Sequence, residues 1–336
     1  MFITCTHYYL MFFTNSGKVY RIKSYFVPEA DRTARGRAIV NLLQLAPGER
    51  VTVVIPIKEG EDGSGCLVMA TRGGLIKKTA LSEFESIRKV GKIAIILHEG
   101  DQLIAVSKIH EGDEIMLAST KGKCIRFAES DVRVMGRTSA GVRSIKMDEE
   151  DDYVVDMAVI EKDTDKQVLT VTELGYGKRC LLSEYRLQSR AGKGSKAGKF
   201  SLSTGAIVNL KLVSPDDDVM IIANTGIIIR MPVSEISLIS KATKGVRVIR
   251  LKDNGKVVCV AVAAPENKVE EDAATAAENS ESEGADMPAA DYAAFSADGE
   301  EYGYAGEDAF NEPPAEDRDE ALSEQPPADK TGDDEQ

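Results

Sequence analysis

The stretch Tyr9–Ile22, YLMFFTNSGKVYRI, is an apolar run, a turn Thr14–Gly17, and a second run in which apolar and polar residues alternate. Two strands joined by a tight turn have this pattern, with glycine where the turn needs a left-handed backbone. The construction returns at Thr71–Gly74, Ser119–Gly122, Thr172–Gly175 and Ala223–Gly226. Five like units at a period near fifty residues are read as one repeat body rather than as independent domains.

The first strand of each hairpin falls at residues 9–13, 66–70, 114–118, 167–171 and 219–223. A second glycine closes each unit: Gly36, Gly91, Gly141, Gly194 and Gly245. A further strand is expected after it, at Ile39–Leu43, Ile93–Leu97, Val142–Met147, Lys199–Leu202 and Val246–Leu251. Between units runs another apolar strand: Val51–Ile57, Leu103–Ile109, Tyr153–Ile160, Ile207–Val213 and Val257–Val262, with Phe2–Thr6 as a short first version. Helical signal is weak; Ala80–Ile87 offers one or two turns. Four strands per unit with short polar connections predict an all-β, β-propeller-like fold of about five four-stranded blades over residues 1–264. A β-sandwich or a pair of barrels would not require so regular a spacing.

The repeated feature is also basic. Four residues after the first glycine stands Arg21, Lys78, Arg126, Arg179 or Arg230. Alternation turns this cation away from the apolar face, toward DNA or toward a carboxylate of the neighbouring blade. Around the second glycine the candidates for phosphate contact are Arg32, Arg35 and Arg37; Arg88, Lys89 and Lys92; Arg137 and Arg143; Arg190, Lys193, Lys196 and Lys199; and Lys241, Lys244 and Arg247. Cations recurring at matching positions on a disc would form a belt along which a duplex can bend. Glycines beside them let backbone N–H groups approach phosphate.

Composition divides the chain. Residues 1–264 carry 39 Lys+Arg against 31 Asp+Glu, a net of +8, whereas residues 265–336 carry 3 against 24, a net of −21. The latter segment, rich in Ala, Glu, Asp, Pro and Ser, cannot bury enough apolar surface to offset its ordering entropy, and is read as a disordered acidic tail. Five widely spaced cysteines with no CxxC pair suggest neither disulfides nor a zinc site; they read as small core residues in a reducing cytosol. The opening Met1–Phe13 has no basic n-region and no small-residue cleavage site, so a soluble cytoplasmic protein is expected.

Phe26–Leu45, FVPEADRTARGRAIVNLLQL, together with Gly-Tyr-Gly-Lys-Arg at 175–179 and Val-Ser-Glu-Ile at 233–236, closely resembles the C-terminal DNA-wrapping domain of the bacterial DNA gyrase A protein. The resemblance runs through residues 2–264, and the acidic tail is similar too. It implies a six-bladed β-pinwheel whose blades exchange strands. It also implies binding and bending of duplex DNA along the rim, in support of ATP-dependent negative supercoiling by the full type II topoisomerase. The implied partners are the gyrase B protein and the cleavage domains of the gyrase A protein. The family's signature box, Gln-Arg-Arg-Gly-Gly-Lys-Gly, belongs to its first blade, which is expected to precede this segment; the nearest echo is Gln188–Gly194, matching at five of seven positions.

No P-loop, Rossmann glycine pattern, catalytic triad or metal-ligand spacing is present, so neither catalytic residues nor cofactors are expected in this segment. Tyr8 and Tyr9 abut an apolar strand and read as core or blade edge rather than as a cleavage tyrosine. His7, His98 and His110 share no motif, and the acidic runs 148–152 and 216–218 fall in turns where solvated charge is usual. The competing function is a propeller that serves as a protein-interaction platform for an acidic partner. Symmetry separates the two, because a wrapping surface needs the same contact on every blade.

Overall fold

A computed structural model describes residues 4–263 apart from 32–33, 59, 61–64, 148, 150 and 252–253. The tail at 265–336, Arg32 and the start of Phe2–Thr6 lie outside the described residues.

Five hairpins are present at the expected places. The first unit supplies β1 (Tyr9–Thr14), β2 (Lys18–Lys23) and β3 (Val51–Ile57); the second supplies β4 (Cys66–Thr71), β5 (Leu75–Ala80), β6 (Lys92–Ile93) and β7 (Leu103–Ile109). The third gives β8 (Glu114–Ser119), β9 (Lys123–Ala128), β10 (Val142–Arg143) and β11 (Val154–Ile160); the fourth β12 (Gln167–Thr172), β13 (Tyr176–Cys180), β14 (Ser195–Lys196) and β15 (Ile207–Val213). The fifth gives β16 (Asp218–Ala223), β17 (Ile228–Pro232), β18 (Val246–Arg247) and β19 (Val257–Ala263). Ala80–Ile87 holds a single 3-10 turn, Leu81–Phe84. Among the described residues no helix is long and apolar enough to cross a membrane.

The sheets do not coincide with the units. Four have four strands, in the orders β3-β1-β2-β6, β10-β5-β4-β7, β11-β8-β9-β14 and β15-β12-β13-β18, and the fifth, β17-β16-β19, has three. The two-residue strand after each second glycine is therefore handed back to the preceding hairpin. Its register is fixed: Lys92 faces Val19, Val142 faces Ile76, Ser195 faces Cys124 and Val246 faces Gly177. Two close approaches at glycine enforce that register. A Cβ on Gly141 would stand 2.5 Å from Ile76 O, and one on Gly17 would stand 2.6 Å from Ile95 O.

The core lies between sheets rather than within one. Met11, Phe13, Ile55 and Ile57 pack against Leu67, Met69, Phe84 and Ile95 of the next unit, and comparable clusters fill the three following gaps. The hairpin's first strand is buried on both faces, which explains its unbroken apolar run: Met11 and Phe13 face one cluster, Leu10 and Phe12 another.

Four expectations change. The strands expected at Ile93–Leu97, Val142–Met147 and Val246–Leu251 shorten to Lys92–Ile93, Val142–Arg143 and Val246–Arg247. Ile39–Leu43 is no strand; Ile39–Asn41 forms a 3-10 turn, while Ile39, Leu42 and Leu43 cover the outer face of the first sheet against Leu10, Phe12 and Tyr20. These three side chains are covered by packing on the first hairpin rather than by pairing as a strand. Lys199–Leu202 is likewise not a strand, because the fixed register uses Ser195–Lys196; Phe200 instead covers Gly122 and Leu202 is 98% exposed. Cysteine burial is mixed. All five thiols are free, Cys124 and Cys180 are buried, and Cys5 and Cys259 are exposed.

Candidate nucleic-acid interface

The cations four residues after the first glycine serve the fold. Arg21 Nη1 donates to Glu85 O at 2.6 Å, Arg126 Nη1 to Leu182 O at 3.0 Å and Tyr185 O at 2.9 Å, and Arg179 Nε to Ile236 O at 2.6 Å. Lys78 Nζ pairs with the Glu129 carboxylate. Each partner lies in or beside the 3-10 turn of the next unit, so these side chains staple one blade to the next. Arg230 in the last described unit turns instead to Asp218 of its own hairpin, at 2.7 Å.

Around the second glycine the candidates fall into two groups. Arg35, Arg37, Arg88, Lys89, Arg143, Lys193, Lys196, Lys199, Lys244 and Arg247 are exposed. Lys92, Arg137, Arg190 and Lys241 are half-buried and partly committed. Lys92 Nζ donates to Ser86 O at 3.0 Å. Arg137 Nη1 donates to Ile93 O at 3.1 Å and its Nε lies 3.3 Å from Glu83 Oε2. Arg190 Nη1 donates to Arg143 O at 2.5 Å, and Lys241 Nζ stands 5.2 Å from the Tyr185 ring centroid.

These bonds join successive loops. Arg137 of the third unit reaches the short strand of the second, and Arg190 of the fourth reaches that of the third. A backbone link runs in parallel. The N–H five residues past each second glycine donates to a carbonyl two residues before the next: Ile96 to Ser139 (3.2 Å), Lys146 to Gly192 (2.8 Å) and Lys199 to Thr243 (3.2 Å). The loops of units two to five thus form one continuous strap, with exposed cations on every segment.

Sequence reasoning passed over Lys146 and Arg250, both exposed and both aligned with Lys199 at the fifth position after the glycine. Alignment on the second glycine would have found them. It also passed over exposed Arg133 and Arg186, which share a position eight residues before it.

Tyr9 lies on a central strand, packs against the first core cluster and sits beneath Arg21, whose guanidinium carbon stands 3.5 Å from the ring centroid. Asp152 in the acidic run is buried and accepts from Ser119 Oγ (2.9 Å), Thr120 Oγ1 (2.8 Å) and the Lys121 N–H (3.0 Å), which makes it a turn brace.

The family model described as the DNA gyrase C-terminal domain, beta-propeller, matches residues 8–58, 67–110, 113–161, 166–214 and 217–263, one match per unit. The chain belongs to the DNA gyrase C-terminal domain family. It is 41% identical over 262 residues to the DNA gyrase A protein of Staphylococcus epidermidis ATCC 12228, covering 78% of this chain and 29% of that protein. To the DNA gyrase A protein of Staphylococcus aureus MRSA252 it is 41% identical over 268 residues, covering 80% and 30%. It therefore spans just under a third of the curated relatives it matches. Among solved structures, the C-terminal domain of DNA topoisomerase IV superposes with a TM-score of 0.73 at 25% identity, covering 82% of this chain and 84% of that one. The DNA gyrase A C-terminal domain superposes with a TM-score of 0.66 at 26% identity, covering 77% and 84%.

Proposed function

We propose that residues 4–263 bind duplex DNA along this strap and bend it, as the DNA-wrapping part of a gyrase A protein in the cytoplasm. In the complete enzyme, with the gyrase B protein and the cleavage domains, the bent segment would support ATP-dependent negative supercoiling. The observation that carries the reading is the continuity of the strap, since cations recur on four hydrogen-bonded segments rather than clustering at one. A single acidic partner needs one patch; a polyanion needs this repetition. Phosphate contact through flexible cations specifies no base, so little sequence preference is expected.

Bending a 20–30 bp site by 40–90° costs about 1–6 kcal/mol, within reach of several such contacts. The test is fluorescence anisotropy of labelled duplexes of several sequences over a salt series. Six to ten phosphate contacts would lower affinity about 10³- to 10⁵-fold between about 50 and 200 mM salt, for every sequence alike. A shallow slope with one preferred site would overturn the reading.

A further inference from the structure

Two lysines are buried beneath the basic loops. Lys77 and Lys178 stand three residues after the first glycine of the second and fourth units, and are 0% and 1% exposed. Lys77 Nζ donates to Ala94 O (2.6 Å), Gly136 O (3.1 Å), Arg137 O (2.6 Å) and Ser139 O (3.3 Å). Lys178 Nζ donates to Lys241 O (2.5 Å) and Thr243 O (2.8 Å). The carbonyls of Arg137 and Ser139 match those of Lys241 and Thr243, four and two residues before the second glycine. In both places an ammonium draws in carbonyls of the following unit's loop.

The consequence concerns the other end of each peptide. In a trans peptide the N–H points opposite to the C=O. Carbonyls of Gly136, Arg137 and Ser139 drawn inward therefore turn the N–H groups of Arg137, Thr138 and Ala140 toward the exposed side of the loop. Among the described residues none of these three N–H groups has a hydrogen-bond acceptor. Convergent backbone donors of this kind form an anion-binding concavity. Charge points the same way. The ligands of Lys77 are all carbonyls, and the nearby carboxylate of Glu83 is engaged by Arg137.

We propose that the loop Gly136–Ala140, braced from below by Lys77, takes one phosphate of the DNA backbone on the N–H groups of Arg137, Thr138 and Ala140. The assignment rests on the DNA-binding reading above and gives it a specific contact. Exposed Arg133 and Arg143 flank the loop and meet the neighbouring phosphates. Lys77 is a positioning residue: it touches no phosphate, but it orients the peptides that do. Burial pulls its ammonium down to about 8, so it remains largely charged at neutral pH and adds to the attraction. A lesser copy is expected over Lys178, where the Lys244 N–H has no acceptor among the described residues and the Ala242 N–H makes only a long 3.4 Å contact to Ser240 Oγ.

The experiment is an amide NMR titration of the ¹⁵N-labelled full chain with a 20 bp duplex and, separately, with inorganic phosphate, alongside anisotropy. Duplex and phosphate should both shift the Arg137, Thr138 and Ala140 amides, and Lys244 less. Lys77→Met should abolish those shifts and weaken duplex binding roughly five- to ten-fold, as loss of one charge-assisted contact would. It should also reduce the salt slope by about 0.9. If Lys77→Met fails to fold by circular dichroism, the wild-type titration decides alone. Duplex binding that moves the Arg143 and Lys196 amides but not these three refutes the loop site and leaves DNA binding standing. Shifts with inorganic phosphate only refute its assignment to DNA. No duplex binding at all refutes the underlying function instead.

Discussion

Replacing Gly141 with alanine tests strand exchange against a built-in control. The residue has φ of +93° and its added Cβ would meet Ile76 O at 2.5 Å and Ile76 C at 3.0 Å. The left-handed backbone costs a non-glycine residue about 1–2 kcal/mol. The contact is with a strand backbone, which cannot swing aside, so the short strand Val142–Arg143 must lift and loosen its pairs with Ile76 and Leu75. Two weakened backbone hydrogen bonds add about 1–3 kcal/mol, for a total near 3–4 kcal/mol. Gly36→Ala is the control, since φ is +65° and nothing lies within 4 Å, leaving only the conformational cost. Urea unfolding followed by circular dichroism should place Gly141→Ala about 2 kcal/mol below Gly36→Ala. Equal losses would mean that the second glycine serves only its own turn, and that the handed-back strand contributes nothing to holding the blades together.

Arg179→Met removes donors from Ile236 O, Ser234 O and Gln167 Oε1. It should cost about 2–3 kcal/mol in urea unfolding yet leave the salt slope of DNA binding unchanged, as befits a staple; a slope reduced by about one would return Arg179 to the DNA surface. Lys77 has a folded pKa near 8 against 10.5 for the free side chain, so the unfolded chain binds more protons between those values. The Lys77 contribution should therefore raise wild-type stability relative to Lys77→Met as pH increases from about 8 to 10.5, by at most about 3 kcal/mol, read as the difference between parallel melts. Deleting residues 265–336 removes a net charge of −21 beside a body of +8. Duplex affinity at about 50 mM salt should increase, with a gain that shrinks near 200 mM; equal affinities at low salt would leave the tail without a competitive role.

How much of this was legible depended on whether a residue acts within its own unit. The hairpins were readable because each of the pairs β1-β2, β4-β5, β8-β9, β12-β13 and β16-β17 keeps its apolar run and turn glycine inside one stretch of about fourteen residues. Strand exchange was legible only through the family resemblance. Val142–Arg143 looks the same in sequence whether it pairs with its own hairpin or the preceding one, and only the backbone approach at Gly141 decides. The staples were half legible: alternation placed Arg179 off the apolar face, but its acceptors are carbonyls 55 and 57 residues away, which no side-chain pattern marks. Lys77 was invisible because a lysine among Ile76, Lys78 and Thr79 reads as a solvated strand residue, whereas four carbonyls of two later loops enclose it.

On the proposed DNA-binding reading, strand exchange and duplex contact are tied by construction. The strap from Gly136 to Lys146 carries Arg137 and Arg143, pairs with Ile76 and Leu75 of the preceding hairpin, and is held to the next strap through Lys146 and Gly192. If the strap lifts, the cations lose their common path, so only the docked blades bind duplex well. A ligand that binds the docked state stabilises it by mass action, about 2.7 kcal/mol at one hundred times its Kd. Duplex at that concentration should therefore restore most of the stability lost in Gly141→Ala, with weaker affinity than wild type because part of the binding energy redocks the strap. Urea midpoints with and without duplex measure this directly. A duplex-induced gain identical in wild type and variant, with identical affinities, would show that the loops bind DNA independently of blade docking and would break the link.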